Sequence, residues 1–342
     1  MKQQIFKTAK KILPFAGLML LMIYIFFYLE LDHPEKLKQA QDYIITILTS
    51  IFFPIAILLT VPRIIVRNCA WQIVLKEQGI KISFWQSLKV FLIGYFYGTF
   101  TPGYYGQLIR IPYLKEKTGE PYGKLFVNTF IEINMRGFSI YLMVVTGAIL
   151  VLTEYSYIPE IAFLRYIIFL WFTLFCLVML YFIGKERGEK VFFALIKFII
   201  PRKFKKNLNS FVSTFYKDFP KLRVLILPII LSTVTWIIIF TQEYLIVLSL
   251  GVNIDYLVFL LVFPIANIAG FIPISIAGLG VREAVAIFIF PLLYADVTGI
   301  QIFTIAIIGF MVTDAITGLV GFSLSLTETV DKKSFLKHLK HG

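Results

Sequence analysis

Long apolar runs, each of about 20 residues or more, recur from one end of this sequence to the other. A helical run of that length can cross the roughly 30 Å hydrocarbon core of a bilayer. Hydrophobic residues make up 58% of the chain and charged residues only 15%, which leaves no segment for a soluble domain of useful size. The sequence therefore predicts an all-α polytopic membrane protein, with 1–342 as a single integral membrane domain.

Six of the apolar runs are predicted to be full spans, and two more are interrupted by glycine and proline. The predicted full spans are 12–31, 43–62, 124–153, 165–183, 224–250 and 300–326, and the interrupted segments are 84–114 and 257–295. The first run is predicted to be a retained span, because it lacks the small-residue cleavage site of a signal peptide.

The distribution of lysine and arginine predicts how the interrupted segments are arranged. Basic residues precede the first span and fill 63–83 and 184–223, and such residues concentrate on the cytoplasmic side. If 84–114 crossed the bilayer, the basic loop 184–223 would lie outside. We therefore expect 84–114 and 257–295 to be re-entrant helical hairpins, one entering from each side, with both termini in the cytoplasm of a cell that carries the protein in its plasma membrane.

Opposite entry of the two hairpins predicts an inverted repeat. In this division 1–153 is the first repeat, 154–183 begins the second, 184–223 is a basic cytoplasmic loop, 224–326 completes the second repeat and 327–342 is a basic cytoplasmic tail. The hairpins share a motif, in which Gly98, Pro102, Gly106 and Arg110 correspond to Gly270, Pro273, Gly278 and Arg282.

Broken helices in matching positions of two repeats indicate a binding site near the membrane midplane. A half-helix that starts after Pro102 or Pro273 would direct free N–H groups toward an anion, and arginine binds phosphate in a bidentate way. The alternative is that both arginines snorkel or pair with carboxylates. The predicted substrate-binding residues are Pro102, Gly103, Gly106, Gln107, Arg110, Pro273, Gly278, Gly280, Arg282 and Glu283.

Four more charged residues lie in apolar runs. Glu132 and Arg136 are one helical turn apart, and we expect them to form an ion pair that makes their burial tolerable. Glu243 and Asp314 have no obvious partner nearby in sequence, which leaves two alternatives open: a role in the pathway or in proton coupling, or a structural one.

Signals for metal or nucleotide chemistry are absent from the sequence. The three histidines lie in loops or the tail, the two cysteines are far apart, and no P-loop is present. We expect no catalytic residue, cofactor, metal or nucleic-acid partner.

At its two motifs the sequence resembles the family built on the transmembrane region of lysylphosphatidylglycerol synthase, also labelled flippase-like or UPF0104. The matching stretches are TPGYYGQLIRIPYL at 101–114 and IPISIAGLGVREA at 272–284. Two departures stand out. Gln107 replaces a common glutamate, which argues against a proton-carrying role there, and residues 276–278 replace a Pro-Gly-Gly run.

The resemblance implies a role in lipid handling. In the two-domain synthases a soluble domain transfers an aminoacyl group and the membrane region moves the product; other relatives carry a glycosyltransferase domain. The sequence printed here ends shortly after its last predicted span, so we expect it to match the membrane module alone and not to be an enzyme.

The leading hypothesis is translocation of a phosphate-bearing lipid, such as a phospholipid or polyprenyl phosphate. The alternative is a non-catalytic subunit that scaffolds a separate lipid-modifying enzyme or glycosyltransferase through 184–223. A third hypothesis is an intramembrane transferase that uses Glu132 or Asp314. Membrane lipids are the expected partners, and such an enzyme is a possible second one.

Overall fold

The computed structural model describes most of the chain between residues 34 and 327. The described residues are 34–99, 101, 104–163, 165, 166, 169, 170, 172, 173, 219, 220, 222–271 and 278–327. The predicted span 12–31, most of 165–183, nearly all of the basic loop 184–223, the tail beyond 327, and the predicted site residues Pro102, Gly103 and Pro273 lie outside them.

Within this part of the chain every regular element is helical. The α-helices are α1 (Pro34–Thr49), α2 (Phe52–Leu58), α3 (Thr60–Glu77), α4 (Phe84–Thr99), α5 (Arg110–Thr118), α6 (Tyr122–Glu154), α7 (Leu222–Ser249), α8 (Tyr256–Ala269), α9 (Val281–Leu293), α10 (Gly299–Phe310) and α11 (Ile316–Thr327). Short 3-10 turns cover Tyr105–Ile109 and Pro159–Phe163, and a π-helical segment, Met311–Ala315, joins α10 to α11.

Four described helices are long and apolar enough to cross a membrane. They are Phe52–Glu77, Tyr122–Glu154, Arg223–Ser249 and Gly299–Thr327. The last three coincide with predicted spans 124–153, 224–250 and 300–326, so helices were correctly predicted there. Large apolar side chains on their outer faces, such as Leu58 and Ile226, are exposed, as expected where lipid is the solvent.

The second predicted span was displaced. The prediction placed it at 43–62 and a loop at 63–83, but α1 ends at Thr49 and α3 continues to Glu77. The cause is that Arg63 and Arg67, which indicated a loop, are buried in α3. Both find polar partners on other helices, and a charged residue with such partners can be placed inside a helical bundle.

Each interrupted segment contains two helices that fold back on one another. In the first, Gly94 and Gly98 of α4 lie opposite Arg110 and Gln107, so the chain direction reverses between them. A methyl group at either glycine would overlap the facing side chain. Gly106 packs against the backbone carbonyl of Tyr97 at the turn.

The second pair reverses in the same way. Gly270 at the end of α8 lies against Gly278, and further along Phe259 of α8 contacts Phe290 of α9 with ring centres 5.5 Å apart. Gly278 and Gly280 have φ of +75° and +87°, a conformation that glycine adopts without the strain a side chain would impose. The described segment between the two helices therefore requires glycine.

The two halves of the chain hold each other through reciprocal contacts. Helix α4 of the first half packs on α11 of the second, while α8 of the second packs on α6 of the first. In the first contact Gly321 lies against the carbonyl of Leu92, and in the second Gly147 lies against the carbonyl of Leu261. Helices α3 and α7 also pack together. The missing Cβ atoms let the backbones approach closely, as small residues do in membrane bundles.

Candidate functional site

A buried arginine cluster joins the first hairpin to α3 and α6. The cluster consists of Arg67, Gln107, Arg110 and Glu132, all of which are buried. Arg110 donates from one terminal nitrogen to Glu132 at 2.6 Å and from the other to the amide oxygen of Gln107 at 2.5 Å. Arg67 donates to the same Gln107 oxygen and to the other Glu132 oxygen, each at 3.4 Å. Two guanidinium groups thus share one carboxylate and one neutral amide.

Aromatic rings hold the two guanidinium groups in place. Phe91 of α4 lies 4.6 Å from the Arg67 guanidinium carbon and 4.9 Å from that of Arg110, measured to the ring centre. Trp71 stacks on Arg110 at 5.2 Å. Such cation–π contacts each contribute about 0.5–2 kcal/mol. Because Gln107 is uncharged, the cluster keeps one positive charge in excess.

The second hairpin holds its arginine differently. Arg282 donates to Oε1 of the adjacent Glu283 at 2.6 Å and to the carbonyl of Ala306 at 3.1 Å. The other Glu283 oxygen accepts from the N–H of Gly280 at 2.6 Å, which caps the start of α9. The N-terminal end of this half-helix is therefore already satisfied by a carboxylate of the chain itself.

A third cluster of polar side chains lies at the π-helical segment. Asp314 accepts from the Tyr95 hydroxyl at 2.6 Å and from the Thr313 hydroxyl at 2.9 Å. Arg63 donates to the Thr313 carbonyl at 2.5 Å and to the Thr317 hydroxyl at 2.7 Å. Neither Arg63 nor Asp314 has an oppositely charged group within salt-bridge distance among the described residues. Single-turn π segments of this kind occur frequently at functional sites.

Glu243 is the most isolated of the buried charged side chains. It is fully buried on α7, and neither carboxylate oxygen has a hydrogen-bond partner within the described part of the chain. Gly309 of α10 makes room for it, since a methyl group at that position would lie 2.9 Å from its Cγ and 3.3 Å from Oε1. Its neighbour Gln242 is anchored separately, to the carbonyl of Ala56 and the hydroxyl of Thr60.

Arg136 lies in an aromatic cage rather than in an ion pair. Its guanidinium carbon is 4.7 Å from the ring of Trp236, 5.6 Å from that of Tyr104 and 5.9 Å from that of Phe271. The Trp236 indole N–H also donates to the Arg136 carbonyl at 3.0 Å. No acidic side chain that the structure describes lies within salt-bridge distance of it.

These positions correct one prediction and leave the site predictions open. The expected pairing of Glu132 with Arg136 is wrong: the carboxylate binds Arg67 and Arg110 instead. The structure brings Gln107, Arg110 and Glu132 together; in the second hairpin it does the same for the predicted residues Gly278, Gly280, Arg282 and Glu283. Their role in substrate binding stays a prediction.

Sequence reasoning missed several partners in these clusters. Arg63 and Arg67 were assigned to a loop, and Tyr95 and Trp236 were not singled out from the many aromatic residues. One signal was available: two arginines four residues apart, directly after an apolar run, lie on one face of a helix that continues.

The fold and the buried charges define a multi-pass helical membrane protein. The chain belongs to the family described as the lysylphosphatidylglycerol synthase TM region, whose sequence pattern matches residues 14–321. No individually curated protein sequence matches the chain. Within the described residues no group of three or more His, Cys, Asp or Glu side chains is arranged to hold a metal ion.

Proposed function

We propose that this protein binds a phosphate-bearing membrane lipid by its headgroup and carries it across the bilayer. The single observation that carries the proposal is Arg136, a half-buried guanidinium on a membrane-spanning helix with no acidic partner among the described residues. Membership of a family named for a lipid synthase supports a lipid as the ligand.

The balance of charge supports an anion. The buried charged side chains of the described residues are four arginines and four carboxylates: Arg63, Arg67, Arg110, Arg282, Glu132, Glu243, Glu283 and Asp314. Arg136 adds one positive charge to this balanced set. A charge inside a membrane protein is costly and marks a ligand pathway when no partner neutralises it. A phosphate group would supply the missing negative charge, and guanidinium binds it well.

The surroundings of Arg136 support a site between the two hairpins. Tyr104 immediately follows the predicted site residues Pro102 and Gly103, and Phe271 precedes the segment with Pro273. Their rings contact each other edge to face, with centres 5.7 Å apart. In the proposed site the headgroup lies at Arg136 where both hairpins meet, and the acyl or prenyl tails stay in lipid.

The proposed topology keeps six full spans and two re-entrant hairpins in an inverted repeat, with cytoplasmic termini in a plasma membrane. The two fold-back helix pairs and the reciprocal contacts of Gly147 and Gly321 support it. Arg110 and Arg282 are proposed to organise the hairpins through Glu132 and Glu283. Direct contact of either arginine with phosphate would require an exchange of partner.

The first test measures the lipids that co-purify with the protein in a mild detergent, by mass spectrometry. Wild type, Arg136→Gln and Arg136→Lys are compared, with Arg223→Gln as the control because Arg223 is an exposed arginine at the start of α7. We expect one anionic lipid class to be enriched with wild type and the control, reduced with lysine and lost with glutamine. An Arg110→Ala, Arg282→Ala double variant is included to test the motif arginines.

The same lipid mixture with all variants would contradict the proposal. Translocation is then measured directly in vesicles of phosphatidylcholine that contain a trace of fluorescent phosphatidylglycerol. A membrane-impermeant reductant outside the vesicles destroys only label in the outer leaflet, so the slow loss of the remaining fluorescence gives the rate at which inner-leaflet lipid crosses to the outer leaflet. We expect faster exchange with wild type and Arg223→Gln than with Arg136→Gln. Equal rates for all three proteins would exclude translocation through this site.

A further inference from the structure

Glu243 is a buried carboxyl group for which the proposed lipid site has no direct use. Both of its oxygens lack a hydrogen-bond partner within the described residues, and its side chain is fully buried. Nothing among the described residues compensates an ionised carboxylate there, so its charged form is costly and responds to a second charge placed nearby. The oxygens of Glu132, Glu283 and Asp314, in contrast, all accept hydrogen bonds.

The charged groups around Glu243 come from several helices. Those that act on it electrostatically are Arg63 of α3, Arg282 and Glu283 of α9, and Asp314 of the π-helical segment. Arg282 is bound to Glu283, and Arg63 is bound to neutral oxygens. Helix α6, which also packs on α7, carries Glu132 in its ion pairs and Arg136 in its cage. Helices α2, α8 and α10 contribute no Asp, Glu, Lys, Arg or His.

Helix geometry connects Glu243 to the lipid site. Trp236, which covers Arg136, and Glu243 are seven residues apart on α7, so both lie on one face, about 10 Å apart along the axis. Two unit charges about 10 Å apart, in the effective dielectric of a protein, change each other's binding roughly tenfold, and we take this as the scale for a headgroup bound at Arg136 beside Trp236. A negative headgroup at Arg136 and a negative charge on Glu243 therefore oppose each other.

We propose that Glu243 is a proton-binding site coupled to the headgroup site, so that the protein takes up a proton as it binds an anionic lipid. The inference rests on the proposed function for its ligand. The balance is simple: an ionised Glu243 accepts one proton from water and becomes a neutral carboxylic acid, while the headgroup keeps its charge. Coupling of this kind is reciprocal, so a lower pH tightens lipid binding and lipid binding raises proton affinity.

The experiment measures two quantities on the purified full chain in detergent. The first is the affinity for phosphatidylglycerol, with phosphatidylcholine as the uncharged comparison, at acidic and alkaline pH. The second is the proton uptake on adding phosphatidylglycerol in weakly buffered solution with a pH indicator. The variants are Glu243→Gln, which resembles the protonated form, Glu243→Asp, which keeps a carboxyl group, and Glu154→Gln, an exposed control.

We expect the wild-type affinity to be roughly tenfold higher at acidic than at alkaline pH, with measurable proton uptake. Glu243→Gln should bind with the high affinity at both pH values and take up no proton, while Glu243→Asp and Glu154→Gln keep the pH dependence. Proton uptake that persists in Glu243→Gln overturns the inference. If Asp314→Asn abolishes the uptake while Glu243→Gln does not, the proton is on Asp314 and the assignment to Glu243 is wrong.

This design separates the inference from the function on which it rests. Lipid affinity that is unchanged by Arg136→Gln contradicts the proposed headgroup site, whatever Glu243 does. If lipid affinity depends on Arg136 but not on pH, and wild type and Glu243→Gln have the same affinity, the headgroup site is supported and the coupled proton uptake at Glu243 is contradicted. Replacing Na⁺ with K⁺ at constant pH is a further check, since a loss of affinity would assign a metal cation to Glu243 instead of a proton.

Discussion

Glu132 binds Arg110 at 2.6 Å and leaves Arg136, one helical turn further along the same helix, to the aromatic ring of Trp236 at 4.7 Å. The sequence spacing favours a pair within α6, but a carboxylate between two guanidinium groups gains more than one beside a single partner. Glu132 therefore neutralises Arg110, whereas Arg136 has no acidic partner among the described residues.

The excess charge of the arginine cluster can be removed by one substitution. Gln107→Glu would place a second carboxylate beside Arg67 and Arg110, both of which already donate to the side chain at that position. We expect a higher midpoint of thermal unfolding and less co-purified anionic lipid, because the site region loses positive charge. Gln41→Glu on the exposed face of α1 adds the same charge elsewhere and should change neither quantity. A lower unfolding midpoint for Gln107→Glu would contradict the description of the cluster.

Removal of the shared carboxylate should be severely destabilising. Glu132→Met leaves Arg67 and Arg110 buried without an anionic partner, for which we expect a loss of about 3–5 kcal/mol in the free energy of unfolding. In the double variant Arg110→Met, Glu132→Met one uncompensated charge is gone, so part of the loss should be recovered. The measurement is unfolding in mixed micelles, analysed as a double-mutant cycle. Strictly additive losses would show that the pair does not interact.

The cage around Arg136 can be tested without changing any charge. Trp236→Ala removes the closest ring, and we expect it to lower the retention of anionic lipid, because the guanidinium is no longer held in place. Trp236→Phe keeps an aromatic face but loses the N–H bond to the Arg136 carbonyl, so its effect should be smaller. Lipid titration followed by tryptophan fluorescence should give a signal in wild type that Trp236→Phe lacks. An identical signal in both would remove Trp236 from the site.

The reciprocal glycine contacts predict paired effects on stability. Gly147→Ala and Gly321→Ala each place a methyl group into the backbone of the facing helix, so both should destabilise the fold by about 1–3 kcal/mol or more. Gly137→Ala is the matched control on α6, since its nearest neighbour would be an ordinary contact at 3.8 Å. We expect that control to be neutral or slightly stabilising, because alanine favours helix. Harmless substitutions at both 147 and 321 would contradict the close packing of the two halves.

Cysteine labelling from outside intact cells tests the re-entrant topology. The variants are made in a chain with Cys69→Ser and Cys176→Ser. In the proposed topology the first hairpin returns to the cytoplasm, so a cysteine at Thr118 should remain unlabelled. In the same proposed topology the second hairpin returns to the outside, so a cysteine at Asp296 should be labelled. Labelling at Thr118 would mean that the segment 84–114 crosses the membrane.

Apolar runs were sufficient to predict three of the four long helices, because length and hydrophobicity alone decide whether a helix can span a bilayer. Glycine and proline indicated that these two segments are interrupted, since both residues weaken a helix wherever they occur. Whether either segment is re-entrant in a membrane stays a prediction. The position of α3 was missed because Arg63 and Arg67 are tolerated inside the bundle only through Thr313, Thr317, Gln107 and Glu132, which are distant in sequence. Arg136 was assigned the wrong partner because the choice depends on where Arg110 lies in three dimensions.

The contacts of Gly147 with Leu261 and of Gly321 with Leu92 restrict how the protein can change shape. Each hairpin packs closely on the last described helix of the opposite half, α4 on α11 and α8 on α6. The two halves of the sequence therefore do not form two units that can move independently. A transport cycle that rocked one half against the other would have to break both backbone contacts. For the proposed transport, a unit that can move without breaking either contact is one hairpin together with the helix packed on it.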